Sequence, residues 1–317
     1  MNIIINTPRL YLREFIQEDA THFFDMNNDS DVIRYTGDLP FQSIEDAKKF
    51  IEAYNQYTLY GIGRWAVCEK KSNSFLGFCG LKYHPNQNLV ELGYRFKKKY
   101  WGQGYATESS LACLDYGFNN LKFNAIYAHV NHKNSSSAKV LDRCEMEYLF
   151  DCIHDNEVVM FYRKTSPHLK IKPINTEETI AVRHPVLRAG RPREDCYFPG
   201  DDLSTTVHYG IFQKNKFAGI ATFLEQNNPA FEGAHLQLRG MAILDEFKGK
   251  GFGKLLLETG QQLAVKKKKN LIWCNARIIA VPFYERLGYK TIGNSFEIPQ
   301  VGTHFAMYKI ITTNKTN

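Results

Sequence analysis

Two glycine-rich turns, each between a strand-like run and a helix-like run, constrain the fold of this chain more than any other feature. The first lies in K-K-Y-W-G-Q-G-Y-A-T-E from Lys98, where Gly102, Gly104 and Ala106 alternate with larger residues. The second is E-F-K-G-K-G-F-G-K-L-L-L from Glu246, where Gly249, Gly251 and Gly253 keep the same rhythm. Gly249 follows Gly102 by 147 residues in a chain of 317, close to half its length. The first N–H groups of a helix have no intrahelical partner, and the helix dipole favours negative charge there. Glycine lets such a turn adopt conformations closed to other residues and lets backbone approach a phosphate. Both turns therefore read as phosphate or pyrophosphate cradles. Neither is a P-loop. Neither is a dinucleotide turn, because Thr107 stands where the third glycine of the first would fall and Gly253 comes one position early.

A chain of this length suits two domains. The polar segment Arg163–Thr179 holds two prolines and separates two apolar patterns, so the boundary is expected near Ser166 to Lys172. That gives domains of 1–168 and 169–317. In the first, strands are expected at RLYLREF, RWAVCEK, FLGFCGLKYH, LVELGYRF and NAIYAHVN. Helices are expected from about Tyr105 to Phe118 and Ser135 to Arg143. In the second, strands are expected at TVHYGIFQ, FAGIATFLEQ, HLQLRGMAIL, NLIWCNA and HFAMYKII. Helices are expected from about Gly253 to Lys267 and at VPFYERL. Phe252, Leu255, Leu256 and Leu263 share one face at helical spacing. Each half is thus a mixed α/β (α+β) fold, and the halves form a divergent tandem repeat.

Charge and cysteines narrow the function. The net charge of +7 is uneven, with 19 basic against 20 acidic residues up to residue 168 and 21 against 13 beyond it. The run Lys266–Lys269 supplies half of that excess. It lacks the interleaved aromatics that base stacking needs, so it reads as a solvated helix end rather than a nucleic-acid patch. Seven scattered cysteines without a C-x-x-C pair suggest reduced thiols, with neither a disulfide framework nor a zinc site. No apolar run is long enough for a membrane span, and the N-terminus lacks the pattern of a signal peptide. A cytoplasmic location without metal follows as the expectation.

The turns and their surroundings resemble the GNAT superfamily of N-acetyltransferases. Its coenzyme A pyrophosphate loop usually opens with Gln or Arg, where this chain has Trp101 and Lys248. TPRLYLREFIQEDA, YWGQGYATE and NSSSAKVLDRCEM (Asn134–Met146) are similar to the Rim-type, ribosomal-protein branch. AVPFYERLGYKTIG (Ala280–Gly293) and the tail from Pro299 to Met307 resemble a less characterised branch. The resemblance implies two tandem domains, each a mostly antiparallel twisted sheet splayed around a coenzyme A site with helices on both faces. It also implies acetyl-CoA as donor and direct transfer to a primary amine, either a protein N-terminus or a small molecule. The contacts it implies for coenzyme A are Phe96, Trp101, Gly102, Gln103, Gly104, Tyr105, Ala106 and Asn134 in the first domain. In the second they are Met241, Ala242, Ile243, Lys248, Gly249, Lys250, Gly251, Phe252, Gly253 and Asn275. The thioester carbonyl would be held by backbone near Tyr94–Phe96 and Met241–Ile243.

By the same resemblance Tyr284 is the proton donor to the departing thiolate, and Ser137 takes that place in the first domain; as residues alone, they read as a core tyrosine and a polar residue capped by Asn134. Glu91 is the candidate base of the first domain. His235 and Glu225 are candidates in the second, with His304 and Arg239 as acceptor contacts. Glu145 stands where the branch expects glycine, and a left-handed conformation there would cost roughly 1–2 kcal/mol. Two alternatives stay open: that only one half is catalytic, or that the chain is a non-enzymatic acyl-CoA sensor.

Overall fold

The computed structural model describes residues 2–154 and 157–311. They divide into two compact units that part between Ser166 and Pro167.

Unit 1 is an eight-stranded sheet. Its strands are β1 (Ile3–Asn6), β2 (Leu10–Arg13), β3 (Arg64–Glu69), β4 (Phe75–His84), β5 (Leu89–Phe96), β6 (Ala125–Asn131), β7 (Glu147–His154) and β8 (Glu157–Thr165), in the order β1-β2-β3-β4-β5-β6-β8-β7. Every pair is antiparallel except β5 and β6. Both faces are buried, and β3 shows why. Trp65 and Val67 point into one apolar cluster while Ala66 and Cys68 point into another, as the two-residue period of a strand requires. The first cluster is covered by α5 (Tyr105–Asp115) and α6 (Ser135–Arg143). The second is covered by α1 (Ala20–Asn27), α2 (Ser30–Ile33) and α3 (Ile44–Glu52), through Phe23, Met26, Val32, Ala47 and Ile51. A short helix α4 (Gln56–Tyr60) completes the unit. The helix expected to reach Phe118 is α-helical to Asp115 and ends in a π-turn, Tyr116–Asn120.

Unit 2 is a seven-stranded sheet. It is built from β9 (Leu169–Ile174), β10 (Val207–Gln213), β11 (Lys216–Glu225), β12 (His235–Ile243), β13 (Leu271–Arg277), β14 (Lys290–Ile298) and β15 (Gly302–Ile310), ordered β14-β15-β13-β12-β11-β10-β9. Its parallel pair is β12 and β13. One face carries α7 (Thr176–Leu187), with Val182 packed on Ile220 and Ala242. The other carries α8 (Phe252–Lys266) and α9 (Val281–Arg286). Gly260 of α8 lies directly over the Phe223 ring, where a Cβ would fall 2.1 Å from a ring atom. Polar residues expected in the connecting segment are in fact β9 and the first turn of α7. Asn175 caps α7 reciprocally with Glu178, satisfying two helix-end donors.

Candidate active sites

Each unit places its glycine turn at the start of a long helix beside a parallel strand pair. Gly102 and Gly104 have φ of 75° and 81°, and Gly249 and Gly251 have 76° and 79°. These are left-handed values that favour glycine. A Cβ would meet nothing within 4 Å at Gly102, Gly249 or Gly251, so these residues serve conformation and leave open space over the turn. Gly253 serves proximity instead: its Cβ would fall 2.9 Å from Met241 Cε and 3.0 Å from the Phe283 ring. The first helical hydrogen bonds run from Glu108 N–H to Gly104 and from Leu255 N–H to Gly251. The N–H groups ahead of them open toward the turn.

The residues expected at this turn are placed as follows. Tyr105 and Phe252 are buried, the one bonding Glu69 and the other packed on Phe247, so only their backbones face the turn. Trp101 is half exposed and donates its indole N–H to the Phe96 carbonyl at 2.8 Å, which fixes the turn's entry. Lys248 pairs with Asp245, and Lys250 lies over the Phe247 ring. Asn134 is the N-cap of α6, accepting the Ser137 N–H at 3.1 Å. Sequence reasoning missed Arg9. Its guanidinium bonds Glu108 at 2.6 Å and the Gln103 carbonyl at 3.0 Å, and lies 4.5 Å over the Tyr105 ring.

The parallel strands diverge beside each turn. In unit 1, β5 and β6 share one rung, Glu91 to Tyr127. Beyond it the β5 edge of Leu92–Phe96 is open toward β6. Tyr94 reaches across toward α6: its hydroxyl lies 2.8 Å from Ser137 Oγ and donates to the Ser137 carbonyl at 3.0 Å. Burial holds the Tyr94 phenol well above its ordinary value, against a partial offset from Ser137. In unit 2, β12 and β13 pair from His235 to Leu238 and then part. One extra β12 residue bulges opposite Ala221, at Gly240–Met241, which leaves backbone unpaired beside the divergence. Met241 leads toward Tyr284, whose hydroxyl is 3.9 Å from its sulfur. Burial drives the Tyr284 and Tyr289 phenols well above the usual range, and the Tyr289 hydroxyl has no partner. Ala242 faces the α7 side, and Asn275 is exposed on the other arm of the divergence.

On the opposite face of unit 1, Glu91 is buried at the centre of a charged cluster. Its carboxylate lies 2.5 Å from His84 Nε2, 3.3 Å from Arg64 Nη2 and 3.4 Å from His129 Nδ1. Burial alone would raise this carboxyl, but Arg64, the His84 hydrogen bond and His129 outweigh it and hold it at about 2. Gly93 makes the cluster possible, because a Cβ there would fall 2.3 Å from the Arg64 guanidinium. A cavity of about 220 Å³ opens beside it, lined by His84, Glu91, His129, Phe150 and Phe161. The sequence reading names Glu91 as a candidate base and names neither histidine.

Among the described residues unit 2 has no such cluster, and two candidates there make structural contacts. His235 is fully buried, accepting the Asn228 N–H at 3.0 Å while its other nitrogen lies 3.0 Å from the Glu232 carbonyl. Glu225 is held by Lys267 at 2.7 Å and by Lys269, which also accounts for two lysines of the basic run. His304 is buried opposite Arg277 in the sheet, its Nδ1 2.7 Å from the Gly302 carbonyl. Arg239 donates to the Pro199 carbonyl at 2.5 Å and lies 5.4 Å from the Phe198 ring.

Among the described residues no helix is long and apolar enough to cross a membrane, and no group of His, Cys, Asp and Glu is arranged to hold a metal ion. The turns, with open space and unpaired N–H groups at the start of a long helix, fit a diphosphate.

Comparison with known proteins gives both halves the same family description. Residues 9–147 match a family model described as an acetyltransferase (GNAT) domain, and residues 201–310 match a second model of the same description. The chain is 32% identical over 148 residues to the uncharacterized N-acetyltransferase YitI of Bacillus subtilis (strain 168), covering 46% of this chain and 99% of that one. It is 34% identical over 167 residues to the uncharacterized protein YkkB of the same strain, covering 50% and 94%. The solved structure of a GNAT-family acetyltransferase from Bacillus anthracis is 27% identical, covers 52% of this chain and 98% of its own, and has a TM-score of 0.45.

Proposed function

Both halves of this chain belong to the GNAT acetyltransferase family, and from that premise we propose that each unit moves an acetyl group from coenzyme A to a primary amine held on the opposite side of its sheet. One observation carries the proposal: in each unit a glycine-rich helix start, an open strand edge and a hydroxyl meet where the one parallel strand pair among the described residues diverges. The glycine turn and its unpaired N–H groups would hold the diphosphate, with Arg9 beside it in unit 1. The cofactor supplies an activated acetyl thioester. Backbone N–H groups of the open edge, Leu92–Phe96 in one unit and the Gly240–Met241 bulge in the other, would hold the thioester carbonyl and stabilise charge on its oxygen.

The amine must lose a proton before attack. A carboxylate held at about 2 is too weak a base to take it, so we assign Glu91 to orienting His84 and His129, whose imidazoles accept the proton. In unit 2 His304 takes that place, because an Nδ1–H donated to the Gly302 carbonyl leaves Nε2 as acceptor. The departing thiolate would meet the Tyr94–Ser137 hydroxyl pair or Tyr284. Phenols raised so far by burial keep their protons, so they stabilise the thiolate chiefly by hydrogen bonding.

Calorimetric titration with coenzyme A, followed by an amine screen that measures thiol release, tests the proposal. Two sites and amine-dependent release are expected. Binding without release for any amine would leave an acyl-CoA sensor, and one site would leave one unit as a scaffold.

A further inference from the structure

The face of unit 2 that would receive the amine is lined with guanidinium groups that pair with no carboxylate among the described residues. Arg239 is the first β12 residue beyond the last paired rung, and Arg277 ends β13 on the other arm. Arg188, which caps the end of α7, lies between them. Arg188 and Arg277 both donate to the Leu187 carbonyl, at 3.0 and 3.2 Å. Arg188 and Arg239 both lie over the Phe198 ring, at 5.1 and 5.4 Å. Each makes a single hydrogen bond to a backbone carbonyl, whereas a guanidinium carries five N–H donors.

The nearby carboxylates are already committed. Asp201 is bound by Arg183 and Asp195 by Arg191. Below the bulge, Arg183 is fully buried and its Nε has no hydrogen-bond partner. That nitrogen lies 2.8 Å from where a Gly240 Cβ would stand, so the bulge carries a buried, unused donor on its α7 side. All three unpaired arginines are half-buried. Like charges gathered in such a place repel one another, and an anion relieves that cost with bidentate hydrogen bonds.

We propose that the acceptor of unit 2 is an amine that also bears a carboxylate, as a free amino acid does, with Arg188, Arg239 and Arg277 holding the carboxylate while the amine faces the strand divergence. This inference rests on acetyl transfer by unit 2. Unit 1 has no equivalent, since Arg64 is paired with Glu91 and Arg95 with Asp38.

The test uses the full chain, acetyl-CoA and a panel of L-amino acids, their carboxamides and a linear polyamine, with thiol release as the readout. At least one amino acid is expected to exceed its amide by about 10- to 100-fold in kcat/KM, the scale of a charge-assisted hydrogen-bond pair. Arg239→Gln and Arg277→Gln should each remove most of that preference through KM, and Arg239→Lys should restore part of it. Coenzyme A affinity should stay within about twofold, because the turn lies on other elements. Equal use of amino acid and amide, or a preference that survives both Gln variants, would overturn the anion site alone. Parallel loss of coenzyme A affinity and turnover in both Gln variants would overturn it in favour of a structural role. No release with any amine would overturn acetyl transfer as well.

Discussion

The two units solve one binding problem and differ where the chemistry would occur. Their turns nearly superpose in conformation, with positive φ at the same two glycines. Their sheets part differently. Unit 1 keeps one rung between the diverging strands and an unbroken register between β4 and β5. Unit 2 keeps four rungs and inserts a bulge. The faces that would receive the amine are opposite in kind: a carboxylate between two imidazoles in unit 1, and unneutralised guanidinium groups in unit 2. Diphosphate recognition as proposed would use backbone, which tolerates divergent side chains. Acceptor recognition would use side chains, and there the halves differ. In both, a glycine on the strand makes room for an arginine, Gly93 for the partly buried Arg64 and Gly240 for the fully buried Arg183.

The comparison breaks most sharply at the turns. Gly251→Val puts a β-branched residue at a φ of 79°, which is strongly disfavoured. Calorimetry should then find one coenzyme A site instead of two, whereas an unchanged stoichiometry would mean that unit 2 does not bind there. Next in size is Tyr284→Phe. It removes a hydroxyl whose neighbour within reach is the Met241 sulfur, so acetyl-CoA affinity should hold. Turnover with the unit 2 acceptor should fall by roughly 10- to 1,000-fold. Wild-type turnover would remove Tyr284 from the chemistry and leave it as packing.

Glu91→Gln sharpens the contrast on the opposite face. The Glu91 carboxyl is depressed from 4.5 to about 2 in the folded protein. The ionised form therefore contributes stability above about pH 4.5, and that contribution is lost as the pH falls through about 2. The shift corresponds to about 3 kcal/mol. Acid titration of unfolding should show a shallower loss in the Gln variant over that window. Identical acid profiles would mean that the cluster adds nothing to folding. The smallest effect is at Glu145, whose φ of 53° is the left-handed turn that Gly288 makes with 82° in unit 2. Glu145→Gly should stabilise unit 1 by about 1 kcal/mol, or about 2–4 °C in Tm. The exposed ion pair lost with Lys164 offsets little of that.

What the sequence revealed follows the range of the interactions involved. The turns, the helix Ser135–Arg143 and the strands around them were legible because glycine spacing and alternation are local signals. Helices between residues 20 and 60 were not read, although α3 carries a local signal in its Ser43 cap and its apolar face with Ala47 and Ile51. The start of α7 was mistaken for a connection, although N-T-E-E at Asn175 carries the signature of a reciprocal cap. The site was half legible. Glu91, Ser137 and Tyr284 lie beside the diverging strands. His84 and His129, by contrast, come together at Glu91 only when β4 and β6 flank β5. Arg188 and Arg277 are 89 residues apart in sequence and meet at one carbonyl, a meeting no local pattern announces.

The contact between Arg9 and Glu108 has a consequence for how unit 1 assembles. Thr7 and Arg9 both hold the Glu108 carboxylate, and Arg9 also holds the Gln103 carbonyl, across 94 to 101 residues of chain. Contacts between such distant segments form late, because a long loop must close before any of them returns energy. During synthesis the N-terminal arm waits about a hundred residues for the helix that it braces. The brace on the glycine turn of unit 1 thus cannot form until residues 103–108 have been made, and whatever displaces the first ten residues is felt there.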